Sequence, residues 1–301
     1  MLRFPIQNLF IEGPDCAGKS TLIEKIHKIS EYRWHIMDRS QISRKIFSAL
    51  YSRDTKNIDQ DLHIELSNLN NAFVFLLPSF KTIEKRFHSR GDDFHNSIDS
   101  IRQVYDSFTE KYKSISSLPN VSHYSSESTD EVCEKLICYL DLIERPQLRE
   151  ISECVLSFVK ASGNESYPLS FTLYDDGEFE EAKIDILNHE TESEYYNEIF
   201  CTLMRKIEDE LAGKNKYGRV ETVRSRRFVY AGESCISFIQ VANRDGMMDF
   251  HVVIRSSDTK NIFCHDLSFL YFLASECWKK IGSGCTFTRI RVNINSAHVI
   301  R

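Results

Sequence analysis

Gly13-Pro14-Asp15-Cys16-Ala17-Gly18-Lys19-Ser20 decides how the first half of this chain is read. The octet fits G-x-x-x-x-G-K-[ST] in full. Before it stands the short apolar run Leu9-Phe10-Ile11-Glu12, which stops at a glycine as a buried parallel strand does. After it, Ser20 to Ile29 carries Leu22, Ile23, Ile26 and Ile29 at helical spacing. A strand, a glycine loop and a helix start in that order build a phosphate cradle. Glycine lets the backbone turn its N–H groups inward, and the helix start adds unpaired N–H groups and a positive dipole end. The expected phosphate-binding set is Gly13, Asp15, Cys16, Ala17, Gly18, Lys19, Ser20 and Thr21. Lys19 is placed to reach the β and γ phosphates of ATP, and the Ser20 hydroxyl to ligate Mg²⁺.

Working outward, apolar runs alternate with helical patterns. Trp34 to Met37, Ala72 to Leu77 and Val121 to Tyr124 read as strands. Ile42 to Tyr51, Asp59 to Leu69, Lys81 to Ser89, Ser97 to Ser114 and Asp130 to Ile143 read as helices. Such alternation predicts an α/β domain with a mainly parallel sheet. Glu144-Arg145-Pro146 breaks the helical pattern and sets the expected boundary between residues 1–145 and 146–301. Beyond it the pattern predicts an α+β domain. Its strands are Leu169 to Tyr174, Lys183 to Leu187, Phe228 to Tyr230, Cys235 to Val241, Asp249 to Arg255 and Phe287 to Ile294. Its helices are Glu192 to Leu211 and Leu267 to Lys280. Asp245-Gly246 between two strand patterns predicts a hairpin.

Composition narrows the function classes. Hydrophobic residues at 42% supply material for a core, and a formal charge of -6 argues against a broad nucleic-acid-binding surface. No apolar run is long enough to cross a bilayer, so no membrane partner is expected. The nine cysteines form no CxxC pair and no zinc-spaced cluster. They read as reduced thiols of a cytoplasmic protein.

Phe10 to Asp15 together with Gly18 to Leu22 resembles the opening of thymidylate kinases and related deoxynucleoside and deoxynucleotide kinases. The resemblance implies that Asp15 approaches the acceptor sugar, that Asp38 assists Mg²⁺ or the acceptor, and that Arg39 contacts phosphate. It makes Arg86 and Arg90 lid arginines that neutralise the transferring phosphoryl group. The segment between Ser20 and Asp38 is shorter than that family's acceptor-binding segment. That implies a more open acceptor side, able to admit a 5-hydroxymethylpyrimidine, free or in DNA, as well as a pyrimidine deoxynucleotide.

Four pieces of the second half resemble thymidylate synthase and its pyrimidine hydroxymethylase relatives, in the same order. Ser225-Arg226-Arg227 is similar to the paired arginines that bind nucleotide phosphate, often across a dimer, which implies a homodimer. Cys235 falls at the nucleophile. Arg255-Ser256-Ser257-Asp258 is similar to the phosphate motif, and His298 to the ribose-binding position. Asp266 stands where those synthases place an asparagine, and a carboxylate there implies pairing with a cytosine amino group. The chain departs from the family at Ile254 and Ile300 and lacks its catalytic glutamate segment. The expectation is therefore a nucleotide-binding or dimerisation domain, with an active methyl or hydroxymethyl transferase as the alternative.

Overall fold

The computed structural model describes residues 1–90, 95, 97–166, 168–179, 193–213, 228–244 and 246–300. The chain is mixed α/β and divides into two compact units. One is Ile6–Glu144. The other is Arg145–Arg301 together with Met1–Pro5. The first five residues belong to the second unit because β1 (Leu2–Arg3) pairs with one of its strands.

In the first unit, β2 (Asn8–Glu12) is followed by α1 (Lys19–Ser30), β3 (Ile36–Asp38), α2 (Gln41–Leu50) and α3 (Ile58–Ser67). β4 (Asn71–Leu76), α4 (Phe80–Arg90), α5 (Ile98–Ile115), β5 (Val121–Tyr124) and α6 (Thr129–Ile143) complete it. The sheet order is β3-β2-β4-β5, and every pairing is parallel. β4 is buried at all six positions, as expected of a central strand covered on both faces. Leu9, Ile11, Val74 and Leu76 pack with Leu22 and Ile26 of α1 and with Val132, Leu136 and Leu140 of α6. Serines cap three of the helix starts. Ser40 accepts from the Ile42 N–H, Ser97 from Ser100 and Ser128 from Glu131.

This strand order places the site. The chain leaves β2 to one side for β3 and returns to its other side for β4, so the order reverses at β2. Open α/β sheets bind ligands at the carboxyl ends of strands at such a reversal. Glu12, Asp38 and the loop from Gly13 stand there.

The second unit continues with α7 (Leu148–Ala161), β6 (Glu165–Ser166), β7 (Leu169–Asp175), α8 (Ser193–Leu211), β8 (Phe228–Ala231), β9 (Ile236–Arg244) and β10 (Met247–Ile254). It ends with β11 (Ser257–Asp258), α9 (Phe263–Ile281), β12 (Phe287–Ile294) and β13 (Ala297–His298). A six-stranded sheet runs β1-β7-β12-β10-β9-β8, antiparallel throughout except for the parallel β10–β12 pair. Burial alternates along β10 and β12, which puts Phe250, Val252, Ile290 and Val292 on the covered face. A smaller sheet joins β11, β13 and β6.

α7 is absent from the sequence reading, although its signals are present. Gln147 and Glu150 form a reciprocal capping box, and Leu148, Ile151, Val155, Phe158 and Val159 make its buried stripe. The predicted hairpin is present, with Arg244 opposite Met247. The predicted strand at 183–187 lies outside the described residues.

Candidate functional site

Lys19 opens α1 and is 6% exposed. Its ammonium donates to the carbonyls of Gly13 and Pro14, each at 2.9 Å. Burial lowers its pKa. Asp15, Asp38 and Glu12 pull the other way, and Arg39 adds to the lowering. These five residues therefore share one electrostatic neighbourhood. The loop closes on itself through the Ala17 N–H and the Pro14 carbonyl at 3.3 Å. Gly13 and Gly18 have φ of 145° and 99°, which side chains tolerate poorly. A Cβ on Gly13 would stand 2.5 Å from the Leu76 carbonyl oxygen. Glycine at this position lets the loop pass against β4.

Glu12 closes β2, is fully buried, and was not singled out from the sequence. Its carboxylate accepts the Ser40 N–H at 2.5 Å and the Ser43 hydroxyl, so it ties the end of β2 to the start of α2. Burial raises its pKa, and those hydrogen bonds offset part of the rise.

Asp15 and Arg39, singled out from the sequence, meet. Arg39 Nη2 donates to Asp15 Oδ1 at 2.5 Å, and its guanidinium lies over the Phe47 ring at 4.6 Å. Arg39 has φ of 83°, and its N–H donates to the Ile11 carbonyl at 3.2 Å, so the backbone turns sharply as it leaves β3. His95 supplies a second contact to Asp15, with Nε2 3.2 Å from Oδ2. A cavity of about 500 Å³ opens next to Arg39, lined among others by Ser43, Arg44, Phe47, Arg53 and Asp54. Three guanidiniums and an aromatic ring on one cavity suit an anion attached to a flat ring.

Arg86 is turned inward. It donates to the carbonyls of Cys16 (3.3 Å), Ala17 (2.7 Å) and Glu127 (3.0 Å), bracing the loop against the turn before α6. Arg90 closes α4. Ser20, Thr21 and Asp38 are exposed at the mouth of the loop, while Cys16 and Ala17 are buried beneath it. Cys16 packs against Ile83 and Ile101.

Among the described residues no group of three or more His, Cys, Asp or Glu side chains is arranged to hold a metal. Mg²⁺ bound to a nucleotide takes only one or two protein ligands. Ser20 and Asp38 have the right chemistry for that. The Lys19 ammonium, resting on loop carbonyls, is a donor suited to phosphate oxygens.

In the second unit, Cys235 stands just before β9, half-buried, and its carbonyl accepts the Arg255 N–H at 2.8 Å. Arg255 is exposed and Ser256 half-buried. Asp258 takes the Lys260 N–H at 3.1 Å and the Asn261 amide at 2.6 Å. Burial pushes the Asp258 pKa up, but these donors hold the carboxyl below its ordinary value. It therefore orders its own turn ahead of α9. His298 pairs with Asp258 across β13 and β11, and its carbonyl accepts from Thr259.

Asp266, expected to face a pyrimidine, has no exposed surface. One oxygen accepts the Tyr196 hydroxyl at 2.9 Å, the other the Ser257 hydroxyl at 3.4 Å. The neighbouring Tyr195 hydroxyl accepts the Ile236 N–H at 2.8 Å. Burial first, then Asp266 and Cys235, push the Tyr195 phenol far above its ordinary range. Two tyrosines of α8 thus occupy the space around Asp266 and Cys235. Arg226 and Arg227 lie outside the described residues. Among the described residues no helix is long and apolar enough to cross a membrane.

No family model and no curated protein matches this chain.

Proposed function

We propose that the unit Ile6–Glu144 is an ATP-dependent phosphotransferase, with a pyrimidine deoxynucleotide as its acceptor. The observation that carries the reading is the buried Lys19 ammonium in a glycine loop at the reversal point of a parallel sheet, ringed by Asp15, Asp38, Glu12 and Arg39. A lysine gives up hydration to sit there only where an anion or carboxylates compensate. Three of the ringing groups are carboxylates, and the loop runs into a helix start, where backbone N–H groups bind phosphate.

Lys19 and the backbone from Asp15 to Thr21 would hold the triphosphate, with Ser20 and Asp38 on the Mg²⁺. The bound ion supplies charge neutralisation at the phosphate oxygens. Arg39 stands between loop and cavity, where it would meet the negative charge that builds between donor and acceptor. Arg44 and Arg53 would hold the acceptor's own phosphate, and Phe47 would lie against its ring. Arg86 keeps the loop in shape instead of reaching into solvent. The pyrimidine preference rests on the resemblance to thymidylate kinases, and the anionic acceptor on the three arginines of the cavity.

The second unit fits a supporting role better than a transferase. Asp266 already has two hydroxyl partners, and a pyrimidine edge would have to displace them.

The test is transfer of label from γ-labelled ATP with Mg²⁺ to dTMP, dUMP, dCMP, their 5-hydroxymethyl forms, and duplex DNA with and without 5-hydroxymethylpyrimidines. Label is expected on a free monophosphate. Lys19→Ala should lower turnover by about 10²- to 10³-fold or more while leaving the circular dichroism spectrum unchanged. Undiminished turnover by that variant refutes the reading. Label on modified DNA alone refutes the free-nucleotide acceptor.

A further inference from the structure

We infer that His95 is a positioning residue for the phosphotransfer site, holding Asp15 in the orientation from which it meets Arg39. The kinetic part of this inference rests on the phosphotransferase reading; the structural part does not. His95 lies far along the chain from the loop, just ahead of α5, yet its side chain is 3% exposed and reaches Asp15. Nothing in its sequence surroundings marks it.

The contacts divide the Asp15 carboxylate between two partners. Oδ1 takes the Arg39 guanidinium at 2.5 Å, and Oδ2 faces His95 Nε2 at 3.2 Å. A carboxylate can only accept, so Nε2 carries the proton in this pair. The other ring nitrogen, Nδ1, lies 3.2 Å from the Ser100 hydroxyl in the first turn of α5. Ser100 is itself placed by its N–H, which donates to the Ser97 hydroxyl at 3.3 Å, and its one hydroxyl proton lies between His95 Nδ1 at 3.2 Å and the Ser97 carbonyl at 2.8 Å. With both nitrogens engaged inside the protein, His95 orients Asp15 and does not act on substrate.

The contacts form one line from α5 to the cavity. Ser100 fixes His95, His95 fixes Asp15, Asp15 fixes Arg39, and Arg39 lies over Phe47 at the cavity wall. Two partners on opposite oxygens leave the carboxylate one orientation, whereas Arg39 alone would let it rotate about its end. Orientation of this kind is what enzymes lose when a supporting residue is removed, at a cost of tens-fold in rate. Triphosphate binding depends instead on Lys19 and the loop backbone, which His95 does not touch among the contacts described.

The experiment compares His95→Ala, His95→Gln, Asp15→Ala and the His95→Ala/Asp15→Ala double variant, using Mg²⁺·ATP and the monophosphate that wild type phosphorylates best. Glutamine can place its amide nitrogen near the position of Nε2. We expect His95→Ala to lower acceptor kcat/KM by about 10- to 100-fold with ATP affinity within about threefold of wild type. His95→Gln should recover most of the loss. In the Asp15→Ala background, loss of His95 should add little. Additive losses, or a glutamine variant as poor as the alanine one, overturn the inference.

A second measurement needs no turnover. In ¹⁵N-labelled protein, the His95 Nε2 resonance should shift when Asp15 becomes alanine, and an unmoved resonance also overturns the inference. If wild type phosphorylates no acceptor, the phosphotransferase reading fails while the resonance still decides the His95–Asp15 contact.

Discussion

Replacing Gly13 with alanine tests the close approach of the glycine loop to β4. The added Cβ would stand 2.5 Å from the Leu76 carbonyl oxygen and 3.4 Å from its carbonyl carbon. The obstacle is backbone, so no side-chain rotation relieves it. Leu76 pairs with Tyr124, and the next N–H, of Leu77, donates to the Tyr124 carbonyl at 2.9 Å. Loop and strand must separate by about 0.5–1 Å to reach an ordinary contact, which strains that end of the ladder. Overpacking of this kind costs about 1–3 kcal/mol. A side chain at a φ of 145° adds about 1–2 kcal/mol. The expected loss is about 2–5 kcal/mol, a large share of the roughly 5–15 kcal/mol that holds a domain folded.

Gly18→Ala is the internal control. Its φ of 99° carries a similar backbone strain, but the nearest atoms to its Cβ would be side-chain atoms, Arg86 Nη1 at 3.3 Å and Thr129 Oγ1 at 3.7 Å, and no backbone atom blocks it. Gly18→Ala should therefore destabilise by about 1–2 kcal/mol, without the overpacking cost. Urea unfolding followed by fluorescence separates the two. The chain has two tryptophans, and in a Trp278→Phe background Trp34, 2% exposed in the core of this unit, reports alone. A Gly13→Ala midpoint equal to wild type, or equal to that of Gly18→Ala, refutes the reasoning.

Buried carboxylates supply two further tests. Glu12 has a raised pKa, chiefly from burial, so the native state holds its proton more tightly than the unfolded chain. Its stabilisation is complete below the ordinary carboxylate pKa and is lost as pH rises through the raised one. Glu12→Gln is neutral throughout, so its stability relative to wild type should climb as pH rises above about 4.5; a pH-independent difference in unfolding midpoint contradicts this. Asp266→Ala leaves the hydroxyls of Tyr196 and Ser257 buried without their acceptor, and should cost about 2–4 kcal/mol. Asp266→Asn should cost about 1 kcal/mol, read by unfolding followed at Trp278, and dCMP should not raise the wild-type midpoint.

The elements around the glycine loop were legible because their signals are local. The strand ending at Glu12, the spacing from Gly13 to Ser20 and the apolar stripe of α1 lie within one short stretch of chain. Steric limits on backbone turns act over such distances. The same holds for β4, which carries the apolar run from Ala72, and for the hairpin between β9 and β10. The helix Leu148–Ala161 was equally legible through its capping box, yet Pro146 reads as a break and masks a helix that starts two residues later. Lys19 and Arg39 were singled out because each stands in a short local motif.

Other features had no local signal. Leu2–Arg3 extends a sheet built otherwise from residues beyond Pro146, a pairing set by which edge is free in the fold. Arg86 reads as a lid arginine on an exposed helix, but packing turns its guanidinium onto the carbonyls of Cys16 and Ala17. Asp266 reads as a carboxylate for a ligand, and Tyr196 reaches it first.

What the sequence by itself determined is a glycine loop between strand and helix with a lysine opening that helix, since backbone geometry and residue spacing are properties of neighbours along the chain. What only the tertiary structure decided is the company that loop keeps. Glu12 buried against Ser40 and Ser43, and Asp15 shared by Arg39 and His95, depend on segments far apart in sequence. The burial that fixes those partners exists only once the sheet and its helices have closed around them.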